Sequence, residues 1–473
     1  MNRLTRWRAI LAMIGLALIA PQPAQAGSGR VAAWYSSADA TRKLERGADL
    51  PLARASGASA DSIVVEPGRR FQKIVGFGAA MTDASAELFQ SRLSRPQRDR
   101  LFADLFGRQG IALSFLRVPI GASDFSSRHY SFDDMPPGQR DPALAHYSMA
   151  QAEAGQLPAL AAAKRINPRL TLMASPWSAP GWMKSSDSLI KGRLRPSDYP
   201  AFAAYLSRYL REMRQHGLPV GWLSIQNEPH FEPADYPGMR VDPRERAAFI
   251  GGYLGPMLAR QRAGTRILDW DHNWDQPESP LAVLASPQAG RYVAGVAWHC
   301  YAGDVGAMEQ VRAARPDKDV FFTECSGGDW APDWGGTLGW MTDKLLIAAS
   351  RAGSRGTLLW NLALDEQHGP HLGGCGNCRA VVTIDSRSGA VTRNVEYYVL
   401  GHASRFVRPG ARRLASSDGG PVAQVAFRNP DGTLVLIAHN GGKAAATATV
   451  RSGRKAFRLT LPPGEVGTFV WHE

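Results

Sequence analysis

Apolar, β-prone runs recur through the middle of this chain, separated by stretches of helical periodicity. Eight are legible: IVGFGAA (74–80), LSFLRVPI (113–120), LTLMASPW (170–177), VGWLSIQN (220–227), RILDWDHN (266–273), VAGVAWHCY (293–301), VFFTECS (320–326) and GTLLWNLAL (356–364). Each is nearly continuous rather than alternating, which suits strands covered on both faces, as in a parallel sheet wrapped by helices. Between them, AELFQSRLSRPQRDRLFADLF (86–106) and FAAYLSRYLREMRQHG (202–217) read as helices, the second stopping at Gly217. Eight strand–helix units over about 300 residues predict an α/β chain folded as a (β/α)8 TIM barrel. A doubly wound open sheet is the alternative, but no G-x-G-x-x-G follows the first run, so dinucleotide binding has no support.

The pattern changes toward both ends. After residue 395, VAQVAFR, TLVLIAHN, AATATV, AFRLTL and VGTFVWHE alternate with period two, and turns such as Asn429-Pro430-Asp431-Gly432 separate them. Upstream, SIVVEP (62–67) and RRFQKIV (69–75) also read as strands. Both terminal segments are expected in one side β-sandwich, because the upstream strands would otherwise keep bare edges. The first residues carry Arg3, Arg6 and Arg8, an apolar run over 9–20 and an Ala24-Gln25-Ala26 cleavage pattern, the layout of a signal peptide. The expected division is a signal peptide over 1–26, N-terminal strands over 27–72, the barrel over 73–394 and the sandwich over 395–473. The mature chain is expected to be secreted or periplasmic and monomeric, with no integral membrane segment.

Composition adds little to this. A chain that is 44% hydrophobic and 21% charged has enough apolar mass for two globular units. The net charge of +13 is spread along the sequence, and three of those charges are the leading arginines. No basic cluster interleaves with aromatics, so the reading is a solvated basic surface and no nucleic-acid partner. Four cysteines are present. Cys375 and Cys378 in GGCGNC suit a small-loop disulfide; Cys300 and Cys325 can pair or stay as buried thiols. His368 and His371 lack a partner set, and neither a metal nor a cofactor is expected.

The chemistry gathers where the runs end. Arg117, Trp177, Glu228, His299, Tyr301, Glu324 and Trp360 close or directly follow their runs, and Asp83 follows the first. The carboxyl ends of barrel strands are where such a fold builds its active site. Glu228 precedes Pro229, which keeps it out of a helix and at a strand end. Glu324 leaves an apolar run and needs a partner, for which Arg117 is the candidate. The competing readings are a helix cap or surface charge for Glu228 and a purely structural ion pair for Glu324. Two carboxylates on the fourth and seventh of eight strands suit glycosidic bond cleavage, one as acid/base and one as nucleophile. On that reading Glu228 needs a raised pKa and Glu324 must stay ionised. Trp177, Trp182, Trp270, Trp274, Trp298, Trp330 and Trp360 read as a sugar-stacking group, with Trp177 and Trp360 foremost.

These segments resemble glycoside hydrolase family 30. GFGAAMTD, SPWSAPGWMK, QNEP, TEC and LLWNLAL are shared in type with glucosylceramidases. DHNWDQP, AWHCYAGD and GPHLGGCGNCRAVVTID look like the β-1,6-glucanase branch. The resemblance implies acid/base Glu228, nucleophile Glu324, and a first sugar subsite made with them by Asp83, Trp177, Asn227, Tyr301 and Trp360; from its strand-end position His299 is a further substrate-binding candidate, and Arg117 is expected to orient the nucleophile. It implies a retaining endo-β-1,6-glucanase acting on a β-glucan or β-glucoside. A glucosylceramidase-like or exo-acting β-glucosidase is the alternative, and a non-catalytic carbohydrate-binding barrel a third reading. His230 departs from the aliphatic residue the glucanase pattern carries after the fourth strand.

Overall fold

The structure, a computed structural model, describes residues 29–55, 62–418 and 420–472. The expected signal peptide lies outside the described residues. Eight strands close into a parallel barrel in sequence order: β1 (Gly76–Ala80), β2 (Phe115–Ile120), β3 (Thr171–Pro176), β4 (Val220–Ser224), β5 (Arg266–Asn273), β6 (Val293–His299), β7 (Asp319–Glu324) and β8 (Ser354–Asn361). All eight fall on the apolar runs read from the sequence.

Period two explains what fills the barrel. Phe115, Met173, Trp222, Leu268, Ala297, Phe321 and Leu358, one from each of β2 to β8, form a single apolar cluster. Two residues further along the same face stand Arg117, Ser175, His299, Thr323 and Trp360. An apolar plug therefore floors a polar layer near the carboxyl ends of the strands.

The helices hold one surprise. The stretch 86–106 is two helices, Asp83–Ser91 and Arg95–Phe106. Ser94 and Gln97 form a capping box at the second, and Pro96 sits in its first turn, where a missing N–H costs nothing. Helical periodicity runs through the break because both helices bury the same kind of face. The helix Tyr199–Gln215 ends as read, with Gly217 at φ +74°.

N- and C-terminal strands share one sheet, which folds into the side sandwich. Arg30–Ser36 pairs antiparallel with Val466–Trp471, and Ser62–Lys73 lies between Arg412–Ser416 and Ala446–Ser452. Alternation joins this body to the barrel. Along Arg30–Ser36, Val31 and Ala33 enter the sandwich core while Ala32 and Trp34 enter the barrel's core. Leu434–His439 does the same, with Leu434 and Leu436 on one side and Val435 and Ile437 on the other. The boundary expected at 395 needs correction: Val395–Ser404 is a helix whose Val395, Val399, Leu400 and Ala403 pack into the barrel core. The alternating strands begin only at Arg412.

Candidate active site

A fully buried guanidinium stands at the centre of the polar layer. Arg117 donates through Nη1 to Glu324 Oε2, and through Nη2 to Asn227 Oδ1 and Asp271 Oδ2, both at 2.7 Å. Asp271 also accepts from Ser175 Oγ (2.9 Å) and Thr323 Oγ1 (2.8 Å). Burial alone would raise the Asp271 pKa, but Arg117 and His299 hold it below the ordinary carboxylate range.

The placement of Asp271 depends on a β-bulge. With strict alternation Trp270, two residues after the lumen residue Leu268, would point inward. Instead Trp270 and Asp271 adopt φ +77° and +52°, the register with β6 slips there, and Asp271 turns into the barrel. Glu228 is also left-handed, at φ +46°, and its N–H donates to the Asp271 carbonyl at 3.0 Å. Two non-glycine residues in this sparsely populated region, hydrogen-bonded to each other at the barrel mouth, are strain held in place by the surrounding structure. A second register slip, between β6 and β7, lies just before the His299–Glu324 pair.

His299 bridges the acids. Its Nδ1 lies 3.2 Å from Glu228 Oε1 and its Nε2 3.1 Å from Asp271 Oδ1. Ionised carboxylates only accept, so both ring nitrogens donate and the ring is an imidazolium. Burial pulls its pKa down, but Glu324, Asp271 and Glu228 outweigh that and push it up to about 9. With both nitrogens protonated, the Glu228, His299 and Glu324 trio offers no imidazole lone pair to an ion. A folded pKa above the ordinary 6.5 stabilises the protein below pH 6.5, and that contribution is lost as pH rises through about 9. The shift is worth up to about 3 kcal/mol. Melting temperature is therefore expected to fall between pH 6.5 and 9 in the wild type and to be flatter across that window in His299→Gln.

The two glutamates approach closely. One oxygen of each and a ring nitrogen of His299 lie within 4.8 Å of one another. Tyr301 donates its hydroxyl to Glu324 Oε1 at 3.0 Å, so both oxygens of Glu324 are held. The two glutamates are shifted in opposite directions in the substrate-free protein. Burial pushes both carboxyls up, but at Glu228 the His299 hydrogen bond, the neighbouring His272 ring and the charges of His299 and Arg117 win, and its pKa falls. At Glu324 burial, with Glu228 and Asp271 adding to it, outweighs His299 and Arg117, and its pKa rises.

The remaining expectations divide. Trp177 and Trp360 stack on each other, with centroids 5.0 Å apart, and Arg117 lies over both rings. They are nearly covered and form a wall rather than an open platform. Trp182, Trp270, Trp274 and Trp298 are core residues packed in the barrel's outer layer, and Trp330 is exposed. Asp83 does not join the cluster. Its carboxyl accepts from Ser126 Oγ (2.6 Å) and from the Tyr130 hydroxyl (2.9 Å), at the start of the helix Asp83–Ser91. The acid that faces Glu324 and Glu228 is Asp124, in the loop after β2. Burial, then Glu324 and Glu228, raises its pKa to about 8. Sequence reasoning missed it because it lies four residues past the strand; the signal available was Ile-Gly-Ala-Ser-Asp, a lone acid after an apolar run ending in Arg117-Val118-Pro119-Ile120.

Two disulfides brace the mouth. Cys300–Cys325 joins the residues that follow His299 and Glu324, and Cys375–Cys378 closes a glycine-rich loop. That loop lies on Asp124: Leu372 N–H donates to the Asp124 carbonyl at 2.9 Å. A Cβ at Gly374, which has φ +69°, would meet Asp124 Cβ at 2.4 Å, so only glycine fits there. Cys375 and Tyr236 each pack against the apolar cluster that contains Trp177 and Trp360.

Residues 74–407 match the glycosyl hydrolase family 30 TIM-barrel domain, and residues 410–469 match the glycosyl hydrolase family 30 beta sandwich domain. The chain is 36% identical over 428 residues to endo-1,6-beta-D-glucanase neg1 of Aspergillus fumigatus, covering 84% of this chain and 85% of that one. It is 34% identical to endo-1,6-beta-D-glucanase BGN16.3 of Trichoderma harzianum, covering 84% of each. Among solved structures, the endo-beta1,6-glucanase BT3312 superposes with a TM-score of 0.86 at 27% identity, covering 94% of this chain and 100% of the other.

Proposed function

Because the chain belongs to glycoside hydrolase family 30, a family of retaining enzymes, we propose that it cleaves β-1,6-linked glucan internally, with Glu324 as nucleophile and Glu228 as acid/base. The observation that carries this is the approach of the two carboxyls to within 4.8 Å, with Glu324 clamped by Arg117 and Tyr301. That approach of one oxygen from each fits the about 5–5.5 Å spacing of retaining carboxyls better than the about 6.5–9.5 Å an inverting enzyme leaves for a water. The linkage rests on the likeness to the two fungal endo-1,6-glucanases and to BT3312.

In the first step a Glu324 oxygen attacks the anomeric carbon, the bond to the leaving oxygen breaks, and that oxygen takes the Glu228 proton. In the second, Glu228 takes a proton from water, the water attacks the anomeric carbon, and Glu324 is released. The charges permit one shared proton. Among the described residues Asp271, Glu228 and Glu324 face two buried cations, Arg117 and His299, so one proton on the glutamate pair balances the cluster. That proton is shared between the two glutamates. A glycosidic oxygen set against Glu228 in a dry site draws it to Glu228, since only the protonated acid can donate to that oxygen. Asp124, neutral below about pH 8, can both donate to and accept from sugar hydroxyls. Asn227, held by Arg117, presents its amide beside Glu228 for the same purpose.

The chain is read as exported and monomeric; among the described residues no helix is long and apolar enough to cross a membrane. The deciding experiment is digestion of a linear β-1,6-glucan with product sizing, alongside an aryl β-glucoside and glucosylceramide. A ladder of oligosaccharides is expected. Glucose as the sole product, or preferential release of ceramide, would overturn the endo-β-1,6 reading.

A further inference from the structure

His272 has no part in the steps above, yet it stands beside the acid/base. It is the residue after left-handed Asp271, in the bulged end of β5, and it is buried. Its Nε2 lies 3.9 Å from Glu228 Oε1, too far for a hydrogen bond. Its Nδ1 is enclosed and has no hydrogen-bond partner among the described residues. The ring leans on Trp270, with centroids 5.0 Å apart, which fixes its plane.

The charge state follows from the surroundings. Burial, with the cation His299 and the His230 ring nearby, outweighs Glu228 and Asp275 and lowers the pKa to about 4, so the ring is neutral at working pH. A neutral imidazole has one N–H and one lone pair. Enclosing an unmatched lone pair costs less than enclosing an unmatched N–H, as the rarity of orphaned buried N–H groups indicates. The proton therefore belongs on Nε2, the nitrogen that faces Glu228. A separation of 3.9 Å is too long for the two groups to bond each other but lets one oxygen lie against both.

The side matters too. Glu228 is the acidic neighbour that matters most to His272, and no ion-pair-range contact links His272 to Glu324. His272 thus meets the acid/base and not the nucleophile, and it is the acid/base that donates to the departing oxygen. We infer that His272 is a specificity-determining residue whose Nε2–H holds an oxygen of the departing sugar beside Glu228, favouring a hydroxyl-bearing glycosyl leaving group over an aryl or lipid one. This rests on the role given to Glu228 above, but not on the β-1,6 linkage.

The test compares leaving groups in the intact protein. In His272→Phe, which keeps a ring but no donor, kcat/KM on a β-linked gluco-oligosaccharide is expected to drop about 10- to 100-fold more than on a nitrophenyl β-glucoside. His272→Gln, which restores an N–H, is expected to recover part of the loss on the oligosaccharide alone. Equal losses on both substrates would overturn the inference and mark His272 as a support for Glu228 or the fold. So would an undiminished rate on the oligosaccharide. If His272→Phe melts early, the ratio of wild type to His272→Gln across the two substrates decides between the same outcomes. A panel of linkages is used, so failure on β-1,6-glucan counts against the proposed function while the leaving-group ratio is still read on whichever glucan is cleaved.

Discussion

Glu324→Gln is expected to lower kcat by about 10⁴-fold or more on any substrate while leaving the protein folded, because a neutral amide cannot form the glycosyl–enzyme bond. That is about 5.5 kcal/mol of transition-state stabilisation. Folding is expected to survive because Arg117 keeps Asp271 and Asn227 when Glu324 loses its charge. Tyr301 keeps an acceptor in the amide oxygen. Steady-state kinetics with a circular-dichroism melt checks both halves, and retained turnover with an intact melt would remove Glu324 from the nucleophile's role.

The second large effect concerns stability. Arg117→Met removes the buried cation from two buried carboxylates, Asp271 and Glu324. Breaking a buried pair in this way costs about 3–5 kcal/mol. The pH dependence carries the diagnosis. In the wild type Asp271 has a depressed pKa, so its contribution is present above the ordinary carboxylate range and is lost as pH falls. Without Arg117 the Asp271 carboxyl is buried and less compensated, its pKa rises, and stability is lost as pH climbs. The gap between variant and wild type should therefore be wider at pH 8 than at pH 5 in denaturant titrations. A gap independent of pH would mean that Arg117 acts by packing against Trp177 and Trp360 rather than by charge.

Much of this is legible in the sequence, for a definite reason. Eight apolar runs mark the eight barrel strands because burial on both faces leaves a continuous signature. Glu228 and Glu324 stand out because a charge ending such a run is costly without a purpose. Four of the tryptophans read as sugar-stacking are core residues instead, since a strand-end indole that packs outward looks the same in sequence as one that faces the mouth. Asp271 is visible only as one letter in LDWDHN, because alternation assigns the inward position to Trp270 and the bulge reverses that. Asp124 is hidden by loop geometry: it reaches the site because the Leu372–Cys378 loop, remote in sequence, packs over it. The helix at 395–404 escapes notice because the alternating strands after it dominate the pattern.

One bond gives the site a history as well as a shape. Cys300 and Cys325 directly follow His299 and Glu324, at the place where the β6–β7 ladder has already slipped and is about to end. The covalent tie between the two strand ends is made by oxidation, a step apart from the packing of the strands. Its maturation therefore has a date set by the redox environment the chain passes through, and two preparations with one sequence and one fold can still be different chemical species. Counting free thiols belongs before any comparison of rates between them.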